Sequence, residues 1–81
     1  MMLKEFDVVR VKALSEPERE YDGSESVKRA PRIGDEGAIV HVLSVEGLEN
    51  TYLVEAVDNS GYTLWIAEFW ENELEKLNAE T

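Results

Sequence analysis

Three glutamates at alternate positions, Glu71, Glu73 and Glu75, are the first group in this chain whose types and spacing could do chemistry. Alternate residues of an extended strand share a face, so the carboxylates would gather there. Paired carboxylates in a cleft can act as general acid and base, and a cluster of them can hold a divalent cation. Nothing around them in the sequence builds a pocket, so a solvated acidic rim is the simpler reading. His41 is the single histidine, and the chain has no cysteine with which it could share a metal. Its place between Val40 and Val42 reads as the surface of a strand. Asp58-Asn59-Ser60-Gly61 begins like a calcium loop but lacks the later ligands, and reads as a hairpin turn. Gly34 and Gly37 are not a phosphate loop, because no lysine follows and a strand, not a helix, comes next. No catalytic residue, metal or cofactor is expected. A small metal-dependent enzyme is the distant alternative.

The aromatic side chains carry more. Tyr62, Trp65, Phe69 and Trp70 fall within nine residues, interleaved with Glu68, Glu71 and Glu73. Phe69 is expected in the core. Trp65 is expected on the face away from Leu64 and Ile66, and Trp70 in a turn. Exposed indoles among acids are what a hot spot for a basic protein looks like. The competing reading packs both indoles beneath the long loop 13–32. The expected contact surface is Trp65, Trp70, Glu71 and Glu73, with Tyr21 from that loop.

These residues need a scaffold, and 81 residues allow a single domain, 1–81, with a small core. No apolar run approaches the roughly 18 residues that span a bilayer, and the first ten residues are too charged for a signal peptide. Together with the lack of cysteine this leads to an expectation of a soluble cytoplasmic protein with no membrane partner. The net charge is −10. Residues 1–32 hold seven basic and seven acidic side chains, whereas 33–81 hold Lys76 against eleven acids. Such a field repels phosphate backbones, disfavours nucleic acid and steers in basic partners. It also serves plain solubility.

The stretch Gly34-Asp35-Glu36-Gly37-Ala38-Ile39-Val40-His41-Val42-Leu43 organises the scaffold, as a tight acidic turn feeding a strand. Before it, Phe6 to Lys12 reads as a first strand with Val9 and Val11 on one face. Residues 13–32 form a long charged loop, with Tyr21 as its expected anchor and Pro31 at its end. Gly37–Leu43 is the second strand. A loop follows with Gly47 at a positive φ. Thr51–Val57 is the third strand, with Tyr52, Val54 and Ala56 inward because Glu55 must face water. Tyr62–Ala67 is the fourth, with Leu64 and Ile66 inward. Trp70–Glu73 reads as one turn of 3₁₀ helix, Leu74–Leu77 as a last strand beside the first, and 78–81 as a frayed tail. A C-terminal helix over 67–77 competes on propensity alone.

The segments Asp7-Val8-Val9-Arg10-Val11, Ile33 to Val42, Tyr52 to Asp58, Gly61-Tyr62-Thr63-Leu64 and Glu73-Leu74-Glu75 taken together resemble an uncharacterised bacterial family of small SH3-like proteins. Its members read D-V-V-x-L, G-x-x-G-T-I-V-x-V, Y-x-V-E-F-x-D and a short acidic close. Ala38 and Ala56 stand where Thr and Phe are commoner, and the 13–32 loop is longer. The pattern is more distantly similar to the stromal E subunit of photosystem I and the variable chain of ferredoxin–thioredoxin reductase. The resemblance implies an all-β, five-stranded SH3-like barrel and an accessory or antitoxin-like role without enzyme activity. It brings no functional residues of its own. The expected function is non-catalytic docking of a basic protein partner, with self-association as a homodimer the alternative.

Overall fold

The computed structural model describes residues 3–77, so the expectation of a frayed tail at 78–81 lies outside them. Five antiparallel strands form one sheet: β1 (Val8–Val11), β2 (Glu36–Leu43), β3 (Thr51–Val57), β4 (Thr63–Trp70) and β5 (Leu74–Lys76). A single 3₁₀ turn, η1 (Glu71–Glu73), joins the last two. The strand order is β4-β3-β2-β1-β5. The all-β class, the five strands, and the 3₁₀ turn before the last strand all match the sequence reading, and the competing C-terminal helix is absent.

The expected closed barrel is corrected: the sheet is open. β5 pairs with β1 alone, and β4 pairs with β3. The outer edge of β4 is occupied instead by the connection 12–35, here called the strap. Asp22 forms an antiparallel bridge with Ile66, the Ser24 N–H donates to Thr63 O (2.8 Å), and the Arg29 N–H donates to Leu64 O (3.0 Å). An edge covered in this way has few groups left to pair with another chain.

The core lies on one face of the sheet. Val9, Val11, Ile39, Val54, Trp65 and Leu74 are all within 1% of full burial. Val9, Val11, Tyr52, Val54 and Ala56 point inward as their alternation predicts. β4 does not follow its expected parity. Its buried residues are Trp65, Ala67 and Phe69, while Leu64 and Ile66 are half-buried. The register explains it. Ala56 lies opposite Trp65, Val54 opposite Ala67 and Tyr52 opposite Phe69, and residues directly opposite share a face. Trp65 is therefore wholly buried, and its expected place on the outer face is overturned.

Two backbone features set the turns. Gly34 has φ +99°, which lets the Asp35 N–H turn back to Arg32 O and aims the Asp35 carboxylate at the strap. Gly37 is needed for space, not for φ. A Cβ built on it would sit 2.5 Å from the Glu55 carbonyl oxygen and 3.0 Å from Val54 Cγ1. β2 and β3 would have to part, and overpacking of this kind costs about 2 kcal/mol. Gly37→Ala is expected to lower unfolding stability by about that amount in urea titration. The same change at Gly47, which has open space but φ +85°, adds no clash and acts through local strain alone.

Candidate interaction surface

The surface is built outward from one buried carboxylate. Glu73 ends η1 with its side chain 1% exposed. It accepts from the Ser15 N–H (2.7 Å), the Ser15 hydroxyl (2.8 Å) and the Trp70 N–H (2.9 Å). Arg19 Nη2 donates to both of its oxygens, at 2.8 and 2.7 Å. Arg19 is itself 5% exposed, and its guanidinium carbon lies 4.4 Å over the Phe69 ring. Phe69 in turn stands 5.4 Å from Trp65, tilted by 54°. A stack of Trp65, Phe69 and Arg19 thus runs from the core to the strap. Burial pushes the Glu73 carboxyl up, but the bonds from Arg19, Trp70 and Ser15 outweigh it and hold it below its ordinary value.

A second carboxylate fixes the far end of the strap. Asp35 receives Arg29 through two nitrogens (2.8 and 3.1 Å), the Arg32 N–H (2.9 Å) and the indole N–H of Trp65 (2.8 Å). Burial again acts upward and these donors prevail, so its carboxyl is also lowered. The long loop is therefore held at Ser15, Arg19, Asp22, Ser24 and Arg29. Tyr21, the anchor expected from sequence, is 41% exposed and lines a shallow depression with Leu53 and Ile66.

With Glu73 fixed, Trp70 is fixed at the mouth of a groove. Its indole N–H donates to Glu16 Oε2 (2.8 Å), and 36% of the residue stays exposed. The groove has a volume of about 670 Å³ and is walled by Leu43, Val45, Leu48 and Trp70, with Glu49 and Glu68 at its rim. Val45 and Leu48 are 60% and 69% exposed and come from the β2–β3 loop, residues 44–50. Two polar depressions adjoin it. One shares Glu49 and Asn72 and adds Glu71. The other shares Thr51, Glu68 and Trp70 and adds Glu16 and Glu20.

Of the five contact residues expected from sequence, the structure brings Trp70 and Glu71 together on this surface. Tyr21 lies one depression away, across Glu20 and Glu68. Trp65 and Glu73 are corrected: both are buried by the chain's own atoms, Trp65 by strand register and Glu73 by its ion pair, and neither can touch a partner. Leu43, Val45, Leu48, Glu49 and Glu68 were not foreseen. The signal was present in Val45 and Leu48, two large apolar residues in a loop that has no core to reach. Glu71, Glu73 and Glu75 do not gather: Glu71 is exposed, Glu73 is buried, and Glu75 pairs with Arg10 at 3.7 Å. Among the described residues no group of three histidine or acidic side chains is placed to hold a metal ion. His41 is on the strand surface, 3.5 Å from Glu5.

Neither a protein-family model nor a curated protein nor a solved structure matches this chain. No helix among the described residues is long and apolar enough to cross a membrane.

The buried pair makes two predictions. Asp7 is buried just before β1, and although burial acts upward, its bonds from the Lys4 N–H and Nζ hold its carboxyl low as well. Glu73, Asp35 and Asp7 therefore each add stability that is complete above the unfolded carboxylate range, about pH 4, and is lost as pH falls through the folded values. Denaturation followed from pH 7 to pH 2 should give a plateau and then a fall below about pH 4. Glu73→Gln should start about 3 kcal/mol lower at pH 7, because Arg19 is left buried without a counter-charge, and should fall less steeply. The second prediction concerns the pair as a unit. The double change Arg19→Met with Glu73→Leu should recover most of the stability lost by either single change, as measured in a double-mutant cycle.

Proposed function

We propose that this protein is a non-catalytic binding module of the cytoplasm that docks a basic protein through the face around Trp70. The supporting observation is the part-exposed Trp70 lining an apolar groove together with Glu49 and Glu68. Aromatic side chains in apolar grooves carry a large share of binding energy in protein interfaces. Acids around them raise the encounter rate with a cationic surface and repel nucleic acid. Trp70 suits this role because the Glu73 carboxylate holds its backbone and Glu16 holds its indole nitrogen. A partner meets a side chain already ordered, so little entropy is lost on binding. An accessory or antitoxin-like role, as the resemblance implies, would use such a face. The strap's cover weighs against self-association by strand pairing at the β4 edge.

The test is affinity capture from cell extract with three immobilised forms: wild type, Trp70→Ala, and Glu71→Lys. A basic protein retained at low salt should be recovered about tenfold less on Trp70→Ala, which removes the anchor. Glu71→Lys should reduce recovery mainly at low salt, where screening is weakest. Equal recovery on wild type and Trp70→Ala would count against this face as the binding surface.

A further inference from the structure

The groove shares lining residues with each of its two acidic neighbours, and this combination carries a specificity. The apolar walls of Leu43, Val45, Leu48 and Trp70 adjoin Glu71 through the shared Glu49 and Asn72, and adjoin Glu16 and Glu20 through the shared Thr51, Glu68 and Trp70. We propose that this trough takes a linear segment of another protein in which apolar side chains are flanked on both sides by lysine or arginine. The inference rests on the docking face assigned above and names the partner's chemistry there.

Charge complementarity supports this occupant over others. Lysine and arginine elsewhere in the chain pair with Asp7, Glu25, Asp35, Glu36, Glu73 and Glu75. Among the described residues none pairs with Glu16, Glu20, Glu49, Glu68 or Glu71. Lys12 is the one basic side chain bordering Glu71, and Arg19, beside Glu16 and Glu20, is buried on Glu73. An anionic occupant would meet Glu16, Glu20 and Glu68 with no free cation beside them, and Lys12 alone against Glu49 and Glu71. A second copy of this chain would bring the same acids against themselves, since an isologous contact places each patch on its own equivalent. A wholly apolar segment would fill the groove and leave the adjoining carboxylates unpaired. A basic–apolar–basic segment satisfies all three parts.

The spacing also fits an extended or loosely wound segment better than a strand added to the sheet. The strap takes the β4 edge as far as Ile66 and Glu73 takes the Trp70 N–H, so the edge left beside the trough is shorter than a ladder needs. Recognition therefore falls to side chains.

The test uses the full chain and synthetic peptides labelled for fluorescence anisotropy. The first peptide has a Leu-Phe-Leu centre flanked by lysine pairs. The second replaces the centre with serines, and the third replaces the lysines with glutamates. Saturable binding of the first, with the serine and glutamate peptides each weaker by about tenfold or more, supports the proposal. Glu49→Lys combined with Glu68→Lys should weaken the first peptide about tenfold. Glu25→Lys with Glu75→Lys, which changes the net charge equally but lies off the trough, should alter it less than about twofold. Equal binding of the leucine and serine peptides, or equal loss in both double variants, would overturn it, since either outcome reports only the overall acidic field. Light scattering with a dimer that Trp70→Ala dissolves would also overturn it in favour of a second copy. The docking face itself is judged separately: a captured protein that depends on Trp70 but whose cross-linked segment lacks this pattern removes the specificity and leaves the face standing.

Discussion

A buried carboxylate is costly unless every lone pair finds a donor, and Glu73 is the one on which this structure turns. Its four kinds of donor come from two places far apart in the sequence: Ser15 and Arg19 of the strap, and the backbone of Trp70 at the end of β4. Remove the charge and each of them loses its reason to converge. Arg19 would then be left over the Phe69 ring, with Nε and Nη1 already buried and without a hydrogen-bond partner. That incomplete satisfaction makes the pair a weak source of net stability and a strong source of specificity. It admits one arrangement of strap, turn and strand, because every other arrangement leaves a buried ion without its counter-ion.

The same device at Asp35 gives the strap a second fixed point. Asp35 joins Arg29 and Arg32 near the strap's end to the indole of Trp65, at the centre of the core. Twenty-odd residues without regular structure would ordinarily be a mobile loop. Here two carboxylates hold them, and between these points the strap bonds to β4 through Asp22, Ser24 and Arg29. Those bonds explain why the sheet can stay open. The strand edge that closure would have removed is satisfied by the chain's own loop.

Much of this architecture is legible in the residues. Tyr52, Val54 and Ala56 declare their face because Glu55 lies between them, and the hairpin at Asp58–Gly61 fixes where β4 begins. In β4 the aliphatic pair Leu64 and Ile66 points to the wrong inward face. Glu68 held the better clue. An acid that must face water places Ala67 and Phe69 inward, and parity then carries Trp65 in with them. The sequence reading ends this strand at Ala67, which separates Phe69, expected in the core, from the strand whose parity it shares; β4 in fact runs to Trp70. The strap was not legible. Nothing in the spacing of Arg19 and Glu73, 54 residues apart, announces that they meet, because an ion pair has no period. The groove is half legible: the run of aromatics and glutamates over 62–73 points to Trp70 and Glu71, whereas Val45 and Leu48 carry no periodic signal in their loop.

The position of the acidic excess follows from these internal pairings. The sequence divides into a balanced first part and an acidic remainder, and the fold pairs one against the other. Arg10 reaches Glu36 and Glu75, Arg19 reaches Glu73, and Arg29 reaches Asp35. Six of the eight basic side chains, these three with Lys4, Lys28 and Lys76, stand in ion pairs within the chain. Cations so engaged cannot neutralise the acids around Trp70, which come from the strap, the β2–β3 loop, β4 and η1. A predominantly acidic surface beside an apolar groove, with Lys12 its one free cation among the described residues, is thus a consequence of how the interior was stabilised. A basic partner with an apolar anchor restores at that surface the pairing that the protein's own cations supply within.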